Sequence, residues 1–190
     1  MEITPNKSKH ILELSLEIID DIELSRIGAE QILLKTVRLA RLTESDDFKK
    51  WLDLEMRGYT KDKLALEFMS ITGRWTDREN NKGYWVPLAQ IEASIQAQTL
   101  KLQSMRTPDS SSDYAGMIIS NVNKSMSNTS NNIAKLKGIV SRVISLIYEF
   151  AMTIHYKKRF EFTAESIFEK YQLELDDKLY KKGIVYNRIS

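Results

Sequence analysis

Between Ala29 and Ala40 the apolar residues recur at three- and four-residue spacing: Ala29, Ile32, Leu33, Val37 and Ala40. That rhythm marks one buried helical face. It resumes at Phe48, Trp51, Leu52 and Met56, then stops at Gly58-Tyr59. The pattern predicts two packed helices, one from about Ser25 to Leu42 and one from Thr43 or Ser45 to Arg57. Thr43 can cap the second helix, and Glu44, Asp46 and Asp47 sit in its first turn, where carboxylates suit the helix dipole. Gly58 fits the left-handed residue after a helix end, with Tyr59 folding back on Leu54. Lys35, Arg38 and Arg41 fall to one side of the first stripe.

Glu55 breaks the pattern. Its spacing from Phe48, Trp51 and Leu52 puts a carboxylate on or beside the apolar stripe. An unpaired buried charge costs several kcal/mol or shifts its pKa, so Glu55 needs a partner. One reading is a structural salt bridge, or a bond to the polar tip of Trp51 or Tyr59. The other is a general base with a raised pKa. No partner group for such a base is visible in the sequence.

Several runs resemble the AbiTii domain family, which is named from abortive-infection phage defence in bacteria. They are Ile22-Glu23-Leu24-Ser25, Ile32-Leu33-Leu34-Lys35 with Leu39-Ala40, and Phe48-Lys49-Lys50-Trp51 followed by Glu55 and Gly58-Tyr59. The family's characteristic Trp, Glu, Gly and Tyr fall on Trp51, Glu55, Gly58 and Tyr59, and a later Pro falls on Pro87. The usual Asn before Gly-Tyr is Arg57 here, and the family's run after that helix is only echoed by Phe68 to Gly73. The match is clear over about residues 20–60 and looser through Val140 to Arg142. It transfers no catalytic residue. It implies structural roles for Trp51, Glu55, Gly58 and Tyr59.

The rest of the chain predicts a mainly α fold: a bundle of about six helices with a small antiparallel β-hairpin over residues 68–88. The opening helix spans residues 6–23, with Ser8 as a cap and His10 on the surface. Ile11, Leu12, Leu14, Leu16, Ile18, Ile19 and Ile22 are too many for one narrow stripe. Phe68, Met69, Ile71, Thr72 and Trp75, and then Tyr84, Trp85 and Val86, read as strands around the turn-forming Thr76 to Gly83. Pro87 starts a helix from about Leu88 to Arg106. Residues 108–132, rich in Ser, Asn and Asp, read as a polar loop or linker with its tip at Asp109 to Asp113. Asn132 or a neighbour caps a helix from Ile133 to Lys158. Thr163 starts a final helix ending at Gly183, and Ile184-Val185-Tyr186 form a tail. The organisation expected is an AbiTii-like region over 1–107, the linker, and a helical region over 133–190 packing on the first.

Composition narrows the function. The chain has no cysteine, which removes disulfides, thiol nucleophiles and thiolate metal sites and suits a reducing cytosol. No signal peptide is recognised, and a cytoplasmic location is expected. Gly138 to Tyr156 approaches membrane length, but Arg142, Glu149 and His155 inside it argue for a buried helix in water and against a membrane partner. No phosphate loop, nucleophile elbow or zinc-protease motif occurs. With His10 and His155 the sole histidines, no metal site and no cofactor are expected. The acid pairs Asp20-Asp21, Asp46-Asp47 and Asp176-Asp177 diverge on a helix and read as solvated surface.

Three function classes follow. The leading expectation is an anti-phage component that is not an enzyme. It acts by protein contact, as a toxin–antitoxin-like or regulatory subunit, with itself or another defence protein as partner. The surplus of apolar residues in helices 6–23 and 133–158 predicts a homo-oligomer through those faces, Ile18 and Ile147 among them. The second class is a nucleic-acid module using Arg74, Trp75, Arg78, Lys157, Lys158 and Arg159, although a formal charge of +2 makes no demand for one. The same residues also read as hairpin anchors, for Trp75 and Trp85, and as cations suiting a helix end, for 157–159. The third class is a nuclease-like or other hydrolytic toxin using Glu55 and acids gathered by the fold.

Overall fold

The computed structural model describes residues 5–105 and 115–181. Among them are six α-helices: α1 (Pro5–Glu23), α2 (Ala29–Leu42), α3 (Asp46–Arg57), α4 (Lys63–Ile71), α5 (Leu88–Ser104) and α6 (Ala115–Lys181). A two-stranded antiparallel sheet, β1 (Trp75–Asp77) and β2 (Lys82–Gly83), lies between α4 and α5. Trp75 pairs with Gly83 and Asp77 with Lys82, with an irregularity between them. The fold is mainly α with a small hairpin, as the periodicity implies, but several elements differ from the sequence reading.

α6 is the spine. It packs lengthwise on α1 and α5, while α2 bridges α1 and α3. Leu136, Ile139, Val143, Ile147 and Ala151 form its buried row, facing Ile11, Leu14, Ile18 and Ile19 of α1 and the α2 stripe in one core. Ile18 and Ile147 are both fully buried within the protomer. The two apolar faces expected to join copies therefore cover each other. Of the α1 surplus, Leu16 stays exposed.

α2 starts at Ala29, later than the pattern implied, because Ser25 takes a positive φ of 50° and Gly28 is the extended N-cap. Gly28 has no side chain to cap with, and Glu92 of α5 supplies an acceptor for the Ala29 N–H at 3.3 Å. Thr43 ends α2 instead of capping α3: its hydroxyl donates to the Leu39 carbonyl. Ser45 precedes α3 without a side-chain capping bond. Ser8 lies inside α1 and is no cap.

The largest corrections concern α4 and α6. Phe68, Met69 and Ile71 are helical, not strand. Asp62 caps the helix, accepting from Ala65 N at 2.9 Å. Ala65, Met69 and Thr72 are buried at helical spacing, and Phe68 stacks on Trp51. The hairpin is correspondingly shorter than 68–88. Residues 115–132 are helix, so the expected linker is not one over that span, and Asn132 caps nothing. The helices read as separate, from Ile133 and from Thr163, belong to one helix of 67 residues. The Thr163 hydroxyl bonds back to the Arg159 carbonyl inside it. Asp109 to Asp113 and the tail Ile184-Val185-Tyr186 lie outside the described residues.

Candidate functional site

The residues that carry the family resemblance converge beneath the hairpin. α3 presents Trp51 and Glu55 on its buried face, one turn apart, and both are fully buried. The chain then turns at Gly58, with φ 101° and ψ 162°. This is the extended positive-φ region that only glycine adopts freely, not the left-handed helix-end conformation. A Cβ there would lie 3.0 Å from the Trp85 carbonyl oxygen and 3.5 Å from Pro87 Cδ. The turn brings the Tyr59 N–H to the Trp85 carbonyl at 2.7 Å and the Tyr59 ring back over α3. The phenol then donates to Glu55 Oε1 at 2.5 Å and accepts from Trp51 Nε1 at 3.1 Å.

Glu55 has the partner its burial requires. Arg74, fully buried just before β1, pairs through Nη2 with Glu55 Oε2. Its Nη1 donates to the carbonyls of Tyr84 and Val86, at 2.8 Å each. The guanidinium lies 4.5 Å over the Tyr59 ring, a cation–π contact. Arg74 Nε alone in this group has no hydrogen-bond partner. Burial, then the nearby Glu55 charge, pushes the Tyr59 phenol well above its ordinary pKa. One salt bridge thus ties α3 to both sides of the hairpin. Phe48 continues the layer outward, edge-on to Trp51 and stacked on Phe150 of α6 at 3.9 Å.

This geometry fits a latch better than a general base. Both carboxylate oxygens of Glu55 are occupied. The cavity beside it, lined by Glu30, Leu34, Met56 and Ala89 among others, has a volume of about 60 Å³. Ligand pockets run from roughly 300 to 1,000 Å³. Among the described residues no group of three or more His, Asp or Glu is placed to hold a metal. One hydroxyl–imidazole pair does form: Ser15 Oγ lies 3.2 Å from His155 Nδ1. Ser15 is fully buried and already bonded to the Leu12 carbonyl, so the pair ties α1 to α6. Sequence spacing gave no sign of it, because 140 residues separate the two.

The basic and aromatic residues considered for nucleic acid do not form one surface. Arg74 is inside the latch, because the Glu55 charge requires it there. Trp75 is half-buried, edge-on to Trp85 at 5.4 Å, with its indole N–H bonded to Ser70 Oγ. Arg78 is exposed in the turn. Lys157 and Arg159 are exposed on α6, whereas Lys158 pairs with Glu161. The Arg142 guanidinium sits where a Cβ of Gly73 would collide with it, which fixes the hairpin base beside residue 142. Lys157 is fifteen residues further along the same helix, about 22 Å away by the helical rise.

Two further surfaces have shape. A groove of about 420 Å³ runs between α2 and α3, floored by Val37 and Met56 and rimmed by Arg41, Lys49, Lys50 and Arg57. A more polar one of about 460 Å³ lies between α5 and α6, where Asn132 bonds Tyr84 and Gln98. Past Ile154, α6 exposes large apolar side chains, with Tyr156, Phe160, Ile167 and Leu173 58%, 77%, 59% and 70% exposed, while Lys158 and Glu161 still line a cleft with α1 and the α2–α3 connection.

The fold and its buried latch define a helical domain with a protruding terminal helix. The chain belongs to the AbiTii family, whose match covers residues 13–178. That span takes in α2, α3, the hairpin and most of α6, far more than residues 20–60, where the resemblance is clearest. The family's name places it with abortive-infection phage defence. No curated protein and no solved structure matches the chain. Among the described residues no helix is long and apolar enough to cross a membrane.

Proposed function

We propose that this chain is a component of bacterial anti-phage defence that works in the cytoplasm by protein contact, not by catalysis. The observation that carries the reading is the distal part of α6. Large apolar side chains stand exposed there at Tyr156, Phe160 and Ile167, which share a helix face by their four- and seven-residue spacing. Isolated exposed apolar residues need no explanation, but a row of them on a helix with nothing against it marks a binding face. The family membership supplies the setting. The partner is a second copy or another protein of the same system.

The test is phage challenge of bacteria carrying the native gene in its own operon. Phe160→Asp with Ile167→Asp should abolish protection while the purified variant keeps the native melting temperature. Full protection by that variant would overturn the reading.

A further inference from the structure

We infer that residues 160–174 of one copy dock into the α2–α3 groove of a second copy, reciprocally, so that two chains exchange their terminal helices. This rests on the protein-contact reading and names its partner.

The helix and the groove match in charge. Residues 160–174 carry four carboxylates (Glu161, Glu165, Glu169 and Glu174) against one cation, Lys170. The groove has four cations against two carboxylates on its walls. Lys50 is paired with Asp47, and Arg57 with Asp53. Among the described residues Arg41 and Lys49 have no ion-pair partner, nor has Asp46, so the groove keeps a net uncommitted positive charge.

They also match in apolar pattern and length. By the 100° helical step, Phe160 and Ile167 share one face, and Glu161, bonded to Lys158 of its own chain, falls on the flank beside it. In the groove Val37 and the exposed Met56 form the floor, and the cations stand at the rim. An amphipathic helix laid in such a groove puts its apolar face down and its acids against the rim. The groove follows α3, whose 12 residues span about 18 Å. Residues 160–174 span about 22 Å.

A chain cannot fill its own groove this way. Ile154, Lys157 and Glu161 pass the connection between α2 and α3, at Leu42 to Ser45, and the helix continues outward to Lys181. From Ile139 to Lys182 the sequence has no glycine or proline at which to turn back. Reciprocal exchange closes the pair by a twofold axis, the common closed arrangement for two copies.

Sedimentation of the full chain at micromolar concentration should give twice the 22.0 kDa protomer mass. Arg41→Glu with Lys49→Glu should return it to the protomer mass, and so should Glu161→Lys with Glu165→Lys. A chain carrying all four changes should recover the dimer, since both sides are then reversed. Because the chain has no cysteine, Met56→Cys and Ile167→Cys can be introduced singly. A mixture of the two should cross-link into a heterodimer under mild oxidation. A protomer mass for the native chain at every concentration would overturn the exchange. So would a dimer indifferent to both charge reversals, or one in which 56 and 167 do not cross-link. Any of these, with phage protection still lost in the Phe160 and Ile167 variant, leaves the protein-contact reading standing with a different partner.

Discussion

Glu55→Gln keeps the volume of the side chain but strands the buried Arg74 guanidinium without its counter-charge. Breaking one side of a buried ion pair costs about 3–5 kcal/mol, which a urea midpoint will register. Glu55→Leu combined with Arg74→Met removes both charges and should recover a large part of that loss. A double variant as unstable as the single one would show that the contacts of Arg74 with the Tyr84 and Val86 carbonyls carry the latch instead. Trp51→Ala should cost about 3–5 kcal/mol through an unfilled core. Gly58→Ala should cost about 1–3 kcal/mol, since the residue sits where φ is positive and ψ extended. Tyr59 adds a pH signature. Its folded-state pKa lies above the ordinary 10.0, so the folded protein holds the proton more tightly than the unfolded chain. Stability is then full below about pH 10 and declines as pH rises past it. Lys35 acts in the same direction above 10.5, its pKa raised by hydrogen bonds to Asp21 and then Glu17. Tyr59→Phe should be less stable than the native protein near about pH 8, yet lose less between about pH 10 and 11.5. An unchanged alkaline slope would remove Tyr59 from this account.

At the scale of elements, what the sequence made legible depends on which signal each segment carries. α2 and α3 show a 3.6-residue apolar period, interrupted on α3 by Glu55, and their identity follows from it. That Glu55 needs a partner was legible too, but that the partner is Arg74 was not, because the hairpin alone brings position 74 under α3. α4 was misread because Phe68, Met69, Ile71 and Thr72 have strand-prone side chains. The helical spacing of Ala65, Met69 and Thr72 is the signal that decides it. Residues 115–132 were misread because Ser and Asn are poor helix formers. The half-buried row there, Val122, Met126, Thr129 and Ile133, does keep helical spacing. Thr129 interrupts it, and Asn132 beside it is held by Tyr84 and Gln98 rather than by apolar packing. The fusion of two expected helices has a plainer cause: no glycine or proline separates them. Gly138 gives an element-scale test. It lies within α6, and a Cβ there would meet nothing within 4 Å. Gly138→Ala should stabilise the protein by about 0.5–1 kcal/mol. Destabilisation would mean that the helix is not continuous through residue 138.

At the scale of the molecule, charge and shape make separate demands. A formal charge of +2, with Arg74 sequestered in the core, leaves few counterions to release on a polyanion. Binding to duplex DNA or RNA at physiological salt should therefore be weaker than about micromolar. Submicromolar binding with a steep salt slope, lost on charge reversal of Lys157 and Arg159, would overturn that. Shape is set by α6. Its 67 residues rise about 100 Å in all, whereas a compact chain of 190 residues has a radius of gyration of about 16 Å. Its buried row, Leu136 to Ala151, occupies about 22 Å of that length. Among the described residues past Ala151 no hydrophobic side chain is fully buried. X-ray scattering should give a maximum dimension of about 100 Å or more in the associated state. A maximum near about 50 Å would mean that α6 bends back onto its own body, and with it the basis for exchange between copies would be gone.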